Sequence, residues 1–172
     1  TKIKTALGFP TIYCDGGGDL FYIPYAVDMN MEAKNFTIEF FAKFVNGSGW
    51  LFTNASSYGG YYSFRINASS VQCFLGGLRN LAFDASLNDG LMHHAVLQRD
   101  GTALQLLADG ILHDAVTVGG TTAISYGTGR YTFGAYYSNE FSAFHMRGVR
   151  VTKGVARYAA EYTPPVFPFP TA

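Results

Sequence analysis

This chain lacks an excess of charge of either sign. Its 172 residues carry twelve lysines and arginines against twelve aspartates and glutamates. Nucleic-acid binding depends on a basic patch or stripe that neutralises phosphates, so the balance argues against a nucleic-acid partner. No apolar run approaches the roughly 20 residues that cross a bilayer, and we expect no membrane insertion.

Catalytic motifs are missing as well. The sequence has no Gly-x-Ser-x-Gly elbow, no nucleotide-binding glycine loop and no His-Glu-x-x-His. Sandwich enzymes that hydrolyse β-glucans place acid and nucleophile on one strand as Glu-x-Asp-x-x-Glu, a triplet that does not occur here. Glu39 stands alone among phenylalanines. We therefore expect a protein that is not an enzyme.

Cysteine is scarce: the two cysteines, Cys14 and Cys73, fall in separate predicted strands. The sequence leaves a disulfide between them open. We favour two half-buried free thiols in a protein assembled in a reducing cytosol.

Phenylalanine, tyrosine and glycine are abundant instead, at 15, 12 and 20 residues, a composition that suits strands joined by tight turns. Alternation with a period of two predicts strands around residues 36–45, 61–67, 104–109 and 131–137. Asp109-Gly110, between two apolar runs, is the strongest hairpin signal. Helix is predicted only at 26–33 and 155–160. Many short strands separated by turns predict an all-β, two-sheet antiparallel jelly-roll β-sandwich.

Three stretches in order carry a resemblance to a known family. The first runs from Tyr13-Cys14-Asp15-Gly16 into Asn35-Phe36-Thr37-Ile38-Glu39, and the second from Asn88-Asp89-Gly90 through His93-His94 to Asp109-Gly110. The third is a last strand ending at Thr152, a turn at Lys153-Gly154, then Tyr158 and Pro164-Pro165. Together they resemble the laminin-G-like branch of the concanavalin A-like sandwiches, of the type found in bacteriophage structural (tail or capsid-associated) and bacterial surface proteins.

The resemblance implies a sandwich over residues 1–162 and a proline-rich strap or linker over 163–172. It also implies that His93 and His94 are structural, one hydrogen-bonded inside the sandwich and one near its surface. Adjacent strand residues point to opposite sides, so one metal would not easily take both.

The sequence departs from the family where Arg147-Gly148 replaces residues that are often acidic, which weakens a calcium site. We expect no cofactor. Calcium stays an alternative, at Asp15 with Asp19 or at Asn88 with Asp89, although both pairs are ordinary hairpin residues.

For function, the resemblance implies a non-catalytic module on the surface of a phage particle, with a bacterial cell surface or secretion as the alternative. One hypothesis is a glycan-binding adhesion domain; the other is a structural decoration or oligomerisation domain that contacts neighbouring virion subunits. Sugar binding needs exposed rings and amides. The candidates, all in or beside loops with glycine or serine, are Trp50, Tyr58, Tyr61, Tyr126, Tyr136, Tyr137 and Asn139.

Overall fold

The computed structural model describes residues 2–6, 9–45, 49–54, 62–66, 70–75, 79–83, 87–121, 130–136 and 139–169, some of them by backbone alone. Antiparallel strands form two large sheets and a two-stranded ribbon. The predicted fold class, an all-β sandwich of two antiparallel sheets, is confirmed.

Seven strands in spatial order form the larger sheet: β1 (Lys2–Ala6), β2 (Phe9–Asp15), β15 (Ala143–Lys153), β4 (Phe36–Phe44), β9 (His93–Asp100), β10 (Ala103–Ala108) and β11 (Ile111–Thr117). Six form the other: β3 (Phe21–Ile23), β12 (Tyr131–Phe133), β5 (Gly49–Asn54), β6 (Tyr62–Ile66), β7 (Val71–Leu75) and β8 (Arg79–Phe83). The ribbon pairs β13 (Ala135–Tyr136) with β14 (Asn139–Phe141).

An aromatic core lies between the two sheets, which pack face to face. Phe36, Ile38 and Phe40 of β4 are at most 1% exposed. From the six-stranded sheet Phe52 and Phe64 face them, and the rings of Phe40 and Phe64 meet edge to face with centroids 5.1 Å apart. Burying one such side chain stabilises a fold by about 2 kcal/mol, so this layer is the main source of stability.

The predicted Asp109-Gly110 hairpin is confirmed. These two residues join β10 to β11, and their φ angles are +48° and +95°. A two-residue hairpin of this twist needs positive φ at both positions, which Asp and Gly tolerate better than most residues.

Two local predictions are wrong or only partly right. The alternation over 131–137 does not form one strand, because Gly134 adopts φ +92° and turns the chain from β12 into β13. The helix expected over 26–33 is reduced to a 3-10 turn at Val27–Met29.

The helical turn expected over 155–160 is also wrong, since none of these residues is helical. The Thr37 hydroxyl donates to the Val155 carbonyl at 3.0 Å. The Gln98 amide donates to the Tyr158 carbonyl at 2.7 Å and accepts from the Tyr158 N–H at 3.2 Å. Side chains of the sheet thus take backbone hydrogen bonds that a helix would make internally.

The C-terminal segment, residues 155–169, covers the outer face of the seven-stranded sheet. Glu161 bridges Ile111 at the edge strand β11. Farther along, the Phe169 ring stacks on Phe41 of β4 with centroids 5.4 Å apart, and Phe41 is only 7% exposed. The chain therefore closes one of its own two outer faces.

Cys14 and Cys73, both within the described part of the chain, are buried and are not joined by a disulfide. Burial raises the pKa of the Cys73 thiol far above its ordinary value. Among the described residues, the structure has no helix with the length and apolar character that crossing a membrane would require.

Candidate functional site: the outer face of the six-stranded sheet

Glu39 is the centre of a buried network on the covered face of the seven-stranded sheet. Its Oε2 accepts hydrogen bonds from His94 Nε2 at 3.1 Å and from the Tyr158 hydroxyl at 2.5 Å, and its Oε1 accepts from Arg150 Nε at 2.7 Å. Burial alone would raise the pKa of Glu39, but these three donors hold it below its ordinary value. The carboxylate is therefore charged, and both of its oxygens accept hydrogen bonds from side chains of the protein itself.

His93 lies on the opposite side of β9 from His94, as the alternation predicts. Its Nδ1 donates to Asp109 at 2.6 Å and its Nε2 donates to Asp89 at 2.8 Å. The hydrogen bond to Asp109 raises the pKa of His93; burial opposes it and the bond to Asp89 adds to it. Both neighbours are carboxylates, which favour the protonated imidazole, and the ring links the two turns.

The carboxylate pairs considered for calcium are engaged in turns. Asp15 accepts from the Gly17 N–H at 2.8 Å, and Asp19 accepts from the Asp15 N–H at 3.4 Å. Asp89 is bound to His93. Within the described ranges, no group of three or more His, Cys, Asp and Glu side chains is placed to hold a metal ion.

The outer face of the six-stranded sheet carries a different set of side chains. Trp50 of β5 pairs directly with Arg65 of β6, Arg65 with Gln72 of β7, and Gln72 with Ala82 of β8. Residues directly opposite each other in antiparallel strands share a face, so these four form one row across the sheet. We call this row, Trp50, Arg65, Gln72 and Ala82, the Arg65 face.

Within this row the guanidinium of Arg65 lies over the indole of Trp50, with its central carbon 5.4 Å from the ring centroid. Trp50 is only 8% exposed. Such stacking is favourable because the ring face is electron-rich. Trp50 therefore supports Arg65 and presents little open ring, and the groups within reach of a ligand are the guanidinium and the Gln72 amide, both partly exposed.

Among the described residues, Arg65 and Arg147 each have a buried guanidinium nitrogen that forms no hydrogen bond, and Arg147 lies under the C-terminal segment, over the rings of Phe41 and Phe167. In Arg65 this nitrogen is Nε. Arg150 donates to Glu39, Arg157 donates to the Thr152 hydroxyl, and Arg99 donates to backbone carbonyls. Because the Nε of Arg65 is buried, a ligand would reach the partly exposed side chain at its terminal nitrogens and not at Nε.

The ribbon of β13 and β14 lies beside this row. Thr53, on the same outer face of β5, donates its hydroxyl to the Ala135 carbonyl at 3.4 Å, and both ribbon strands contact β5. Tyr136 and Asn139, two of the sugar-binding candidates, pair directly in the ribbon. Their strands therefore adjoin the strand of Trp50, although only their backbones are described.

The remaining candidates, Tyr58, Tyr61, Tyr126 and Tyr137, lie outside the described residues.

A second aromatic–guanidinium stack, which our sequence analysis missed, lies on the same face. Tyr22 pairs with Thr132, which pairs with Thr53, so the three side chains share the outer side. Tyr22 is 51% exposed, and the Arg130 guanidinium lies 4.4 Å from its ring centroid. The alternation of Phe21 inward and Tyr22 outward was the available signal.

A shallow groove at the edge of the C-terminal segment is less suited to a ligand. It is lined by Asp109, Gly110, Ile111, Glu161, Tyr162 and Thr163. Asp109 accepts from His93 and from the His94 N–H, and the Tyr162 hydroxyl is bonded to His94 at 2.9 Å. Asp109 and Tyr162 are therefore already engaged in hydrogen bonds that stabilise the fold.

Solved structures with a similar architecture include binding domains. A carbohydrate-binding domain, CBM40 of the Ruminococcus gnavus IT-sialidase, bound to alpha2,3 sialyllactose, is 17% identical with a TM-score of 0.67, covering 86% of this chain and 91% of that one. The binding domain of botulinum neurotoxin serotype D is 11% identical with a TM-score of 0.69, covering 90% of this chain. The binding domain of botulinum neurotoxin DC, in complex with rat synaptotagmin II, gives the same values.

The chain spans 42% of the length of these toxin binding domains. No protein-family model matches the sequence, and no curated protein matches it. At these identities the likeness establishes the fold, a β-sandwich that solved carbohydrate- and receptor-binding domains also adopt.

Proposed function

We infer that this domain is a non-catalytic glycan-binding module and that the Arg65 face is its binding site. The observation that carries the inference is the partly exposed Arg65 side chain, whose guanidinium is stacked on Trp50 on the outer face of the sheet. The opposite outer face is closed by the chain's own C-terminal segment. A carbohydrate-binding domain among the similar structures supports the same function.

Sugar hydroxyls suit this face. The guanidinium donates in a fixed fork, and the Gln72 amide both donates and accepts, so together they meet neighbouring ring oxygens. Hydrogen bonds to a charged group contribute about 1.5–3 kcal/mol each, which gives a shallow site of this kind modest affinity. Tyr22, half exposed, adds an apolar ring at the far side of the sheet.

Hydrolysis of a bound sugar does not fit this face. Glycosidases use two carboxyl groups about 5–10 Å apart. None of the six strands that form this sheet, β3, β5, β6, β7, β8 and β12, contains aspartate or glutamate. We therefore expect the module to bind a sugar without hydrolysing it, so a saccharide incubated with the domain should stay intact.

A glycan array probed with the wild-type domain, Arg65→Ala and Arg157→Ala tests this function. Arg157 is the matched control, because it is partly buried in the C-terminal segment against the other sheet and donates to Thr152. We expect glycan binding by the wild type and by Arg157→Ala, and its loss in Arg65→Ala. Equal binding by both variants would show that the binding site is not on the Arg65 face. An array on which no glycan is bound would contradict the glycan-binding function itself.

A second candidate function is assembly. Tyr22, Ile23, Tyr25 and Val27 are 51%, 38%, 36% and 70% exposed, and the first two belong to β3, at one end of its sheet. Contiguous exposed apolar side chains at a sheet edge favour contact with another chain. A Val27→Asp variant that lowers the mass measured by light scattering would support this role, and a wild type monomeric at high concentration would exclude self-association.

The proposed location is the surface of a phage particle, with the bacterial surface as the alternative, and it rests on the family resemblance. The partner there is a host-surface glycan. Labelled domain that binds intact bacterial cells, and loses binding when the cells are stripped of surface glycan, would support it.

A further inference from the structure

We propose that the ligand of the Arg65 face is an acidic saccharide, whose carboxylate or sulfate group binds the Arg65 guanidinium. This inference rests on the proposed function and narrows it to one class of glycan. Two observations support it: the distribution of charged residues in the strands of this sheet, and the contacts and exposure of the Arg65 side chain.

The two sheets differ in their acidic residues. The strands of the seven-stranded sheet contain Asp15, Glu39, Asp100 and Asp114. The six strands of the other sheet contain none, and they do contain Arg65 and Arg79. The strands of this sheet therefore supply positive charge only. One carboxylate of the other sheet does reach the row, at the end away from Trp50, where Asp114 accepts from the Ala82 N–H at 2.9 Å.

Arg65 has no carboxylate partner among the described residues. Its guanidinium is stacked on the Trp50 ring. The Nε is buried while the side chain as a whole is partly exposed, so an anion would reach the terminal nitrogens of the guanidinium.

Carboxylate and sulfate oxygens match this group better than a hydroxyl does. They accept two parallel N–H bonds from a guanidinium, and such charge-assisted bonds are shorter and stronger than neutral ones. The Trp50 ring packs against one side of the Arg65 guanidinium and fixes the plane of that group. Gln72, in the next strand, is placed to bind a neighbouring sugar hydroxyl. A neutral saccharide would offer only hydroxyl acceptors, which form weaker hydrogen bonds with the guanidinium than an anion does.

Arg130 gives an internal comparison. It too is stacked on an aromatic ring, that of Tyr22, but Tyr22 is 51% exposed while Trp50 is 8% exposed. Water solvates a guanidinium at the open position more fully. We therefore expect Arg65 to dominate recognition of the anion and Arg130 to contribute a smaller, salt-sensitive attraction.

The test is calorimetric titration of lactose, sialyllactose and sulfated lactose into the wild-type domain, Arg65→Gln and Arg130→Gln. The three sugars share one neutral core, so they separate a carboxylate from a sulfate and both from no charge. We expect the wild type to bind at least one acidic sugar about tenfold or more tighter than lactose. Arg65→Gln should lose that preference, and Arg130→Gln should keep most of it.

Two further results have distinct meanings. Equal affinity for lactose and both acidic sugars would overturn this inference and leave the glycan-binding function standing. If none of these sugars binds and a wider glycan array is also empty, both fall. The melting temperature of each variant shows that it is folded, and a full acid preference in a folded Arg65→Gln would overturn the assignment to Arg65.

Discussion

On the outer face of the seven-stranded sheet, Arg150 is paired with the buried Glu39 at 2.7 Å, and the ring of Phe169 from the C-terminal segment packs against the Arg150 guanidinium. On the outer face of the six-stranded sheet, Arg65 lies on Trp50 with no carboxylate in any strand of its sheet. The guanidinium is paired with a carboxylate in one place and stacked on an aromatic ring in the other. On our proposal, the first face stabilises the fold and the second binds a ligand.

Glu39→Gln should give the largest effect on stability. It leaves Arg150 beside a neutral amide under the C-terminal segment, and breaking a buried ion pair costs about 3 kcal/mol. Denaturant unfolding should show this loss, with glycan affinity unchanged. Glu32→Gln is the control, because Glu32 is 52% exposed, its lysine partners are 3.7 Å away, and such pairs contribute less than about 1 kcal/mol.

Arg65→Gln should have the reverse profile. We expect at least about a tenfold loss of affinity for an acidic glycan, equivalent to about 1.4 kcal/mol, with a stability change under about 1 kcal/mol. The small stability change follows because the removed Nε has no hydrogen bond to lose. A large destabilisation with intact binding would make this face structural, like the other one.

The His93 network should make stability depend on pH. The pKa of His93 is raised in the fold, so its contribution is fully present below about pH 6.5, the unfolded value, and is lost as pH rises through the raised folded pKa. Unfolding free energy should therefore fall by about 1 kcal/mol on the alkaline side. His93→Gln should abolish that decline, and an unchanged alkaline decline would contradict the assignment.

Gln72→Ala should give the smallest change. It removes one amide beside Arg65 without touching the guanidinium, so affinity should fall about threefold while the preference for acidic sugars persists. Parallel titrations of Gln72→Ala and Arg65→Gln check this. A loss of acid preference in Gln72→Ala alone would move the anion contact to the neighbouring strand.

Local sequence signals predicted much of the fold. Alternation in β4 and the Asp109-Gly110 turn depend on neighbouring residues, and both are confirmed. The helix expected at 155–160 was wrong because its hydrogen bonds go to Thr37 and Gln98, far away in sequence. Short-range patterns do not contain such partners.

The same limit applied to the candidate site. Glu39, isolated in the sequence, finds Arg150 and Tyr158 more than 100 residues later. Trp50 meets Arg65 through strand pairing whose register shifts between Trp50 and Phe52. Composition indicated aromatic residues for sugar binding, but the position of the guanidinium over the ring depends on that register.

Trp50 is the one tryptophan of the chain and lies directly behind Arg65, so its fluorescence reports on the proposed site alone. Titration with the acidic glycan that binds best should change Trp50 emission saturably, with the affinity that calorimetry gives, and lactose should change it far less. Calorimetric binding of that glycan with Trp50 emission unaltered would place the ligand elsewhere and contradict the account.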